Sequence, residues 1–263
     1  MAPQGFDSEL EVAKKAALAA GEAIARRAET DRESWEKSAD NPVTQADLEA
    51  NEIILEHIRN AFPEDTILSE ETRDPESRLG AERVWIVDPL DGTKEFIARI
   101  PEFAVSIALA LRGRPVVGVI YEPLGRECFS AAQGLGTELN GEPVGMSNAA
   151  SLAESVALVS RTETKRGQLR GTEGWLQELR PVGSVALKLA WIAAGRGEVW
   201  ISMAPKSEWD VCAGDLLVRE AGGVFASADG ERTYNQNDVL LHPPMAAGPP
   251  RLVKELLERI GEH

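Results

Sequence analysis

The stretch that most constrains the fold is WIVDPLDGTKEF, from Trp85 to Phe96, with Val84 before it. The apolar run from Val84 to Val87 is typical of a strand buried on both faces. It ends at Asp88-Pro-Leu-Asp91, a composition that favours a β-turn. In a continuing strand, residues three apart would face opposite sides, whereas a turn lets the two carboxylates converge. The segment therefore predicts a core strand that presents paired acids beside a glycine turn.

The first half of the chain reads as two helices followed by strands joined by short turns. Ser8 and Glu11 form a capping-box pattern, and helical periodicity continues to about Glu29. A second helix is predicted over about 46–60, after a loop, SADNPVTQAD, that Asn41-Pro42 breaks. The predicted strands are TILSEE, RVWIVD, FAVSIALAL, PVVGVIYEP and ECFSAAQ, with hairpins at Arg112-Gly113 and Asn140-Gly141. Such short connections favour a mainly antiparallel sheet.

After about residue 150, strands and helices alternate, which predicts a second, smaller sheet with covering helices. SVALVS, RPVG, EVWISM and GVFAS are the predicted strands. RGQLRGTEGWLQEL, SVALKLAWIAAG, WDVCAGDLLVREAG and PPRLVKELLERI are the predicted helices. We expect an N-terminal α+β lobe over residues 1–150, carrying most metal ligands, and a C-terminal α/β lobe over 151–263 that completes the site.

Charge restricts the partners of this chain. With 28 basic and 43 acidic residues the net charge is −15, which disfavours binding to nucleic acid polymers. Cys128 and Cys212 show neither metal-type spacing nor a disulfide framework, so a reducing, cytoplasmic setting is expected. We find no signal-peptide pattern and no apolar run long enough for a membrane span, and expect no membrane partner. The sequence leaves monomer and homodimer open.

Three further acidic positions lie at predicted strand ends or helix starts: Glu70-Glu71, Asp47 and Asp210. Asp47 and Asp210 also suit helix capping or the helix dipole, and Glu70-Glu71 also suits solvated charge. If these acids converge with Asp88 and Asp91, they must take up protons or hold cations, because each pair repels by about 4 kcal/mol near a protein surface. An all-oxygen ligand set selects Mg²⁺. Metal-assisted hydrolysis of a phosphate ester follows as the hypothesis.

Two motifs then carry a family resemblance. WIVDPLDGTKEF and SEWDVCAGDLLVREAGG resemble the signatures of the inositol monophosphatase superfamily of Mg²⁺-dependent, lithium-sensitive phosphatases. PVTQAD and SEE precede them in the order of that family. The resemblance implies a layered αβαβα sandwich, more than one Mg²⁺ ion per site, inhibition by Li⁺ and a small phosphorylated substrate.

The resemblance also assigns roles to residues. The carboxylates that it implies as metal ligands, with the Leu90 carbonyl, are Glu70, Asp88, Asp91 and Asp210. Thr93, hydrogen-bonded to Asp47, is implied to help deprotonate the attacking water, and Glu70 is counted with them as catalytic. Asp91 and the N–H groups of Gly92 and Thr93 are implied to bind the phosphate.

Substrate choice rests on finer matches. DGTKEF, GSVALK and YNQ resemble the CysQ-type 3'(2'),5'-bisphosphate nucleotidases, and Met203 stands where inositol enzymes usually place a glutamate that grips hydroxyls. The other candidate substrate residues are Lys94, Gly183, Ser184, Lys188 and Lys206. The leading hypothesis is removal of the 3'-phosphate of adenosine 3',5'-bisphosphate or PAPS. Alternatives are an inositol-1-monophosphatase, a fructose-1,6-bisphosphatase-like sugar phosphatase, and a regulatory binding protein on a phosphatase scaffold.

Overall fold

The structure is a computed structural model that describes residues 5–30, 33–38, 41–73, 76–172, 174–227, 230 and 233–262. Its helices are α1 Asp7–Thr30, α2 Gln45–Ala61, α3 Thr93–Ile97, α4 Arg161–Lys165, α5 Val185–Ala193, α6 Glu208–Glu220 and α7 Pro250–Gly261. Its first strands are β1 Ser34–Ser38, β2 Asn41–Thr44, β3 Thr66–Ser69, β4 Arg83–Asp91, β5 Ala104–Leu111, β6 Arg114–Glu122, β7 Glu127–Ala132, β8 Gly136–Leu139 and β9 Glu142–Val144. The later strands are β10 Val156–Ser160, β11 Glu178–Val182, β12 Val199–Ser202, β13 Lys206–Ser207, β14 Val224–Ser227, β15 Leu240–Leu241 and β16 Met245–Gly248.

The elements stack in five layers. A sheet in the order β3-β4-β5-β6-β7-β8-β9 is antiparallel except for the β3–β4 pair. Helices α1 and α2 cover one face of it, and α5 and α6 cover the other. The second sheet, β11-β10-β12-β16-β14, packs on the far side of α5 and α6, and α7 covers its outer face. This arrangement confirms the αβαβα sandwich.

Alternating side chains of the central strands fill two separate cores, as the two-residue period of a strand requires. Trp85 and Val87 of β4 pack toward α1 and α2, whereas Val84 and Ile86 pack toward α5 and α6. The last strand of the first sheet ends at Val144, and the first strand of the second sheet begins at Val156. The lobe boundary near residue 150 lies between these strands and stays a prediction. None of the described helices has the length and hydropathy needed to cross a membrane.

Both predicted hairpins are confirmed, with left-handed conformations at their two central residues. Arg112 and Gly113 connect β5 to β6 with φ of 50° and 75°, and Asn140 and Gly141 connect β8 to β9 with φ of 53° and 85°. Two positive φ values match a type I′ turn, whose twist suits an antiparallel pair.

Three local predictions were wrong. The predicted loop around Pro42 is a small hairpin, β1–β2, where an edge position tolerates the proline. No helix begins at Arg166: the short α4 ends at Lys165, and the described residues that follow it form turns and then β11. Gly167 and Gly171 adopt left-handed conformations, which end helices. The helix α1 begins at Asp7, so Ser8 lies inside the first turn and does not cap it.

Candidate metal centre and active site

The end of β4 is bulged and does not form the predicted β-turn. Asp88 pairs with Ser106 and Asp91 with Ala104, so three steps along β4 oppose two steps along β5. The extra residue of a bulge shifts the side-chain alternation by one position. Asp88 and Asp91 therefore converge, as expected, although by a different backbone device. The Asp88 carboxylate also accepts the N–H of Leu90 at 3.0 Å, which fixes the bulge locally.

Asp210 joins this pair from the first turn of α6. Carboxylate oxygens of Asp88, Asp91 and Asp210 all lie within 4.8 Å of one another. Ser207 N–H donates to Asp210 Oδ2 at 2.8 Å, completing a capping box at the start of α6. The capping and ligand interpretations of Asp210 are thus compatible, because its second oxygen remains available to the cluster.

Glu70 reaches the same place from β3. Its N–H donates to the carbonyl of Val87 at 3.2 Å, because β3 runs parallel to β4 and ends beside it. Glu70, Asp88, Asp91 and Asp210 all line one cavity of about 240 Å³. Strand ends and a helix start therefore meet at one edge of the sheet, as layered α/β proteins often arrange their ligand sites.

The mutual repulsion of these carboxylates favours a bound cation. Burial raises the pKa of Asp88, and the charges of Glu70, Asp91 and Asp210 raise it further. Burial, followed by Asp91 and Glu70, raises the pKa of Asp210 to about 8. Such carboxyls remain protonated near neutral pH unless positive charge compensates them. Carboxylate oxygens at this spacing are the donor set that Mg²⁺ prefers, so these residues fit the ion that the family resemblance implies.

Asp47 and Thr93 form a hydrogen-bonded pair beside the cluster. Thr93 Oγ1 donates to Asp47 Oδ1 at 2.8 Å and lies 3.1 Å from the Leu90 carbonyl. The other Asp47 oxygen accepts the N–H of Thr44 at 2.7 Å and its hydroxyl at 2.5 Å. Asp47 therefore caps α2 and orients Thr93 at once. Burial raises the pKa of Asp47, and its hydrogen bonds with Thr44 and Thr93 oppose the shift.

Gly92 connects the bulged strand to α3. Its φ is +99°, and a Cβ there would lie 2.9 Å from the carbonyl oxygen of Glu102. Only glycine satisfies both the left-handed conformation and this close approach. The backbone conformation at Gly92 places Thr93 at the start of α3. Gly92, Thr93 and the exposed Lys94 all line the cavity.

The predicted residues Gly183 and Ser184 also line the cavity. Ser184 Oγ donates to Asp91 Oδ2 at 2.6 Å, and the N–H of Ala186 donates to the same oxygen at 2.6 Å. The structure therefore places Ser184 as a support for the Asp91 carboxylate. Ser184 caps α5 with a φ of 46°, a conformation that costs a non-glycine residue energy.

Two of the predicted lysines are engaged by the protein itself. Lys188 is buried, and its ammonium group donates to the carbonyls of Val182, Gly183 and Ser184 at 3.0, 3.1 and 2.7 Å. Burial lowers the pKa of Lys188 to about 8, against the opposing charges of Asp91 and Glu95.

Lys206 donates to the buried carboxylate of Glu163 at 2.9 Å. Glu163 also accepts from Ser202 Oγ and from the N–H of Met203. Met203 packs against the core between the second sheet and α7, rather than with the residues that line the cavity.

The sequence did not predict an ion pair that supports the cavity without lining it. Arg161 forms a two-pronged ion pair with Glu102, and Glu102 also accepts the N–H of Gly183 at 2.6 Å. Arg161 directly follows the end of β10, and that position at a strand end was the signal available in the sequence. The residues that do line the cavity and were not predicted are Pro42, Glu95, Ser160, Thr162, Val182 and Val185.

Comparison with known proteins identifies the family. The model of the inositol monophosphatase family matches residues 7–262. The chain belongs to the inositol monophosphatase family. It is 38% identical over 258 residues to Nus factor SuhB of Escherichia coli strain K12, with 94% of each chain covered. Its motifs and its acidic cluster are therefore those of an inositol monophosphatase-family phosphatase.

Two solved structures of this family illustrate the resemblance. The inositol monophosphatase from Anabaena superposes with a TM-score of 0.80 at 31% identity, covering 96% of each chain. CysQ from Bacteroides thetaiotaomicron superposes with a TM-score of 0.76 at 33% identity, covering 93% of this chain and 98% of that one. The CysQ resemblance noted in the sequence thus has a structural counterpart, and overall similarity alone does not choose a substrate.

Proposed function

We propose that this chain is a Mg²⁺-dependent phosphomonoesterase that removes the 3'-phosphate of adenosine 3',5'-bisphosphate or PAPS. The observation that carries the hydrolytic part is the convergence of Asp88, Asp91 and Asp210 within 4.8 Å, on a cavity that also contains Thr93. The residues proposed to hold the metal, with the Leu90 carbonyl, are Glu70, Asp88, Asp91 and Asp210. Bound Mg²⁺ supplies Lewis-acid chemistry, which generates a nucleophile from water and neutralises phosphoryl oxygens.

The pair of Thr93 and Asp47 provides a route for the proton of the attacking water. Thr93 Oγ1 accepts that proton while its own hydrogen passes to Asp47 Oδ1, 2.8 Å away. The direction of the Asp47 pKa, raised by burial, favours this transfer. Thr44 holds the second Asp47 oxygen throughout, so the acceptor keeps its orientation.

The phosphate is proposed to bind at the turn before α3. The N–H groups of Gly92 and Thr93 lie at the cavity wall beside the acidic cluster. Backbone donors that are fixed before the substrate arrives stabilise developing negative charge without reorganisation. The exposed Lys94 lies at the same wall and is the proposed contact to a second phosphate group.

The nucleotide assignment is supported by the residue type at position 203, although Met203 itself does not line the cavity. Met203 offers no acceptor for sugar or inositol hydroxyls, and the nearby carboxylate of Glu163 already accepts hydrogen bonds from Ser202, Met203 and Lys206. A buried acceptor that is already satisfied gains little from a new hydroxyl. The DGTKEF segment, which resembles the CysQ-type enzymes, points the same way.

The test is a phosphate-release panel with adenosine 3',5'-bisphosphate, PAPS, inositol 1-phosphate and fructose 1,6-bisphosphate, with and without Mg²⁺. Release from the nucleotides should exceed release from inositol 1-phosphate at least tenfold, should require Mg²⁺ and should fall with Li⁺. Asp91→Asn serves as the inactive control. Comparable or reversed rates would assign the chain to the inositol or sugar phosphatase branch, which the similarity to the Anabaena enzyme favours.

A regulatory role is a second candidate, because the chain is 38% identical to a protein named Nus factor SuhB. The complete set of acids, together with Thr93 and Asp47, favours turnover as the primary function. A chain that binds a partner without catalysis would show no Mg²⁺-dependent phosphate release from any member of the panel.

A further inference from the structure

The YNQ segment, residues Tyr234 to Gln236, takes no part in the chemistry described above, yet it is tied to both sides of the metal centre. Asn235 N–H and Gln236 N–H donate to the two carboxylate oxygens of Glu208 at 2.7 and 3.0 Å. Glu208 is the first residue of α6, two positions before Asp210, and its exposure is 0%. The segment therefore holds the end of α6 that carries a metal ligand.

The same segment holds a turn of the N-terminal half. Arg78 Nη1 donates to Asn235 Oδ1 at 2.8 Å and to the Gln236 carbonyl at 3.0 Å. In return, Asn235 Nδ2 donates to the Arg78 carbonyl at 2.7 Å. Arg78 is 1% exposed and belongs to a 3₁₀ turn over Glu76–Gly80, in the connection between β3, which ends beside Glu70, and β4.

These contacts connect Arg78 to Glu208 through Asn235. Burying a guanidinium and a carboxylate costs free energy unless hydrogen bonds compensate the two charges. Here Asn235 bonds to both groups, through its side chain to Arg78 and through its N–H to Glu208. On one side of this network, Arg78 lies in the connection between β3, which Glu70 follows, and β4, which carries Asp88. On the other side, Glu208 lies two positions before Asp210. Small changes in the support of metal ligands alter metal affinity, even when the ligands themselves are intact.

We propose that Arg78, Asn235 and Glu208 form a positioning network that sets the distance between the Asp210 end of α6 and the acids of the first sheet, and thereby the affinity for Mg²⁺. The inference rests on the proposed function, because it takes Mg²⁺ as the ion of the cluster. The three residues touch neither the substrate cavity nor the reacting atoms, so their effect is on metal binding rather than on the chemical step.

Asn235 permits a clean test because its φ is +67°. Asn235→Gly keeps this left-handed backbone and the N–H to Glu208, and removes only the side chain that holds Arg78. Asn140→Gly is the matched control: Asn140 has a φ of 53°, and its side chain accepts the N–H of Cys128 at a hairpin away from the cluster.

The measurement is calorimetric titration of metal-free protein with Mg²⁺, accompanied by steady-state kinetics over a range of Mg²⁺ concentrations. Asn235→Gly should weaken Mg²⁺ binding by about 3- to 10-fold, with turnover at saturating Mg²⁺ close to that of the wild type. Asn140→Gly should bind Mg²⁺ as the wild type does. Arg78→Met should weaken binding similarly, and the double variant with Asn235→Gly should be no weaker than the worse single variant.

Unchanged affinity in Asn235→Gly would overturn the proposal, as would equal losses in Asn235→Gly and Asn140→Gly, since equal losses indicate a general effect of glycine. If Arg78→Met does not fold, Asn235→Gly still decides. Failure of the wild type to bind Mg²⁺ would instead contradict the proposed function, so the two failures are distinguishable.

Discussion

Asp47 has two tasks in this structure that sequence reasoning treated as alternatives. One oxygen completes the capping box of α2 with Thr44, and the other accepts the hydroxyl of Thr93. A carboxylate has enough lone pairs for both, so a helix cap and a catalytic partner can be the same residue. Asp210 likewise combines a capping box at α6 with a place in the acidic cluster.

Asp47→Asn should therefore separate the two tasks. The amide keeps an oxygen that accepts from Thr44, so the free energy of unfolding should change by less than about 1 kcal/mol, whereas turnover should fall about 100- to 1,000-fold because an amide is a poor proton acceptor. Urea denaturation and phosphate-release kinetics measure the two effects. Turnover within threefold of the wild type would remove Asp47 from the proton route.

Lys188 should act mainly on stability. Lys188→Met keeps most of the aliphatic volume but leaves three buried carbonyl groups without their donor, which should cost about 1–3 kcal/mol in the free energy of unfolding. The ratio of KM values for adenosine 3',5'-bisphosphate and 3'-AMP should stay unchanged. If that ratio rises instead, Lys188 contacts the second phosphate, in agreement with its prediction as a substrate residue. Lys94→Met, at the exposed cavity wall, is the control that should raise the ratio.

At the scale of elements, the strands and most helices follow from hydrophobic periodicity, and the remaining errors have identifiable causes. The strand at Trp85, both hairpins and α6 were predicted because buried runs and turn residues are local signals. The helix predicted from Arg166 failed because Gly167 and Gly171 adopt left-handed conformations. The bulge after Asp88 depends on pairing with β5, a long-range contact that local residue patterns do not encode.

In the candidate site too, some residues could be predicted from local sequence and others only from the structure. Glu70, Asp88, Asp91 and Asp210 were predictable because motif and strand-end position agree. The neighbours that hold the site, such as Glu102 with Arg161 and Glu163 with Lys206, come from distant segments and carry no local signature. Their pairing is decided by tertiary packing, so only the structure assigns their partners.

The glycine turn between β4 and α3 gives a test at this scale. Gly92→Ala should reduce turnover by at least about tenfold and destabilise the protein by about 1–3 kcal/mol. Alanine is strained at a φ of +99°, and its Cβ would lie 2.9 Å from the carbonyl oxygen of Glu102. Thermal denaturation and kinetics are the measurements.

Gly134→Ala is the matched control for that turn. Gly134 has a φ of +81°, but no atom lies within 4 Å of the place that a Cβ would occupy, so it isolates the conformational penalty. Equal effects of the two substitutions would show that the close approach at Gly92 is unimportant.

At the scale of the whole molecule, acids from both halves of the chain are brought together at a site that favours protons or cations. Without Mg²⁺, the free energy of unfolding should fall as pH rises from about 4 to about 8. In that range the unfolded carboxyls, with a pKa near 3.8, have already lost their protons, whereas folded Asp210, with a pKa of about 8, still holds one. Raising the pH therefore favours the unfolded state, and saturating Mg²⁺ should reduce this slope.

The measurement is urea denaturation between pH 4 and pH 8 with EDTA or with Mg²⁺. Asp210→Asn is the control, because its amide oxygen still accepts from Ser207 while one charge is lost, and its metal-free slope should be shallower. A wild-type slope that Mg²⁺ leaves unchanged would show that the acidic cluster is not the source of the pH dependence.

The position of Asp210 on α6, far along the chain from Asp88 and Asp91, has a consequence for biosynthesis. A polypeptide still attached to the ribosome carries the earlier acids before α6 has been translated, so the cluster of three carboxylates is complete only after Asp210 has been added. A chain that terminates before Asp210 therefore keeps Asp88 and Asp91 without the carboxylate that completes their cluster.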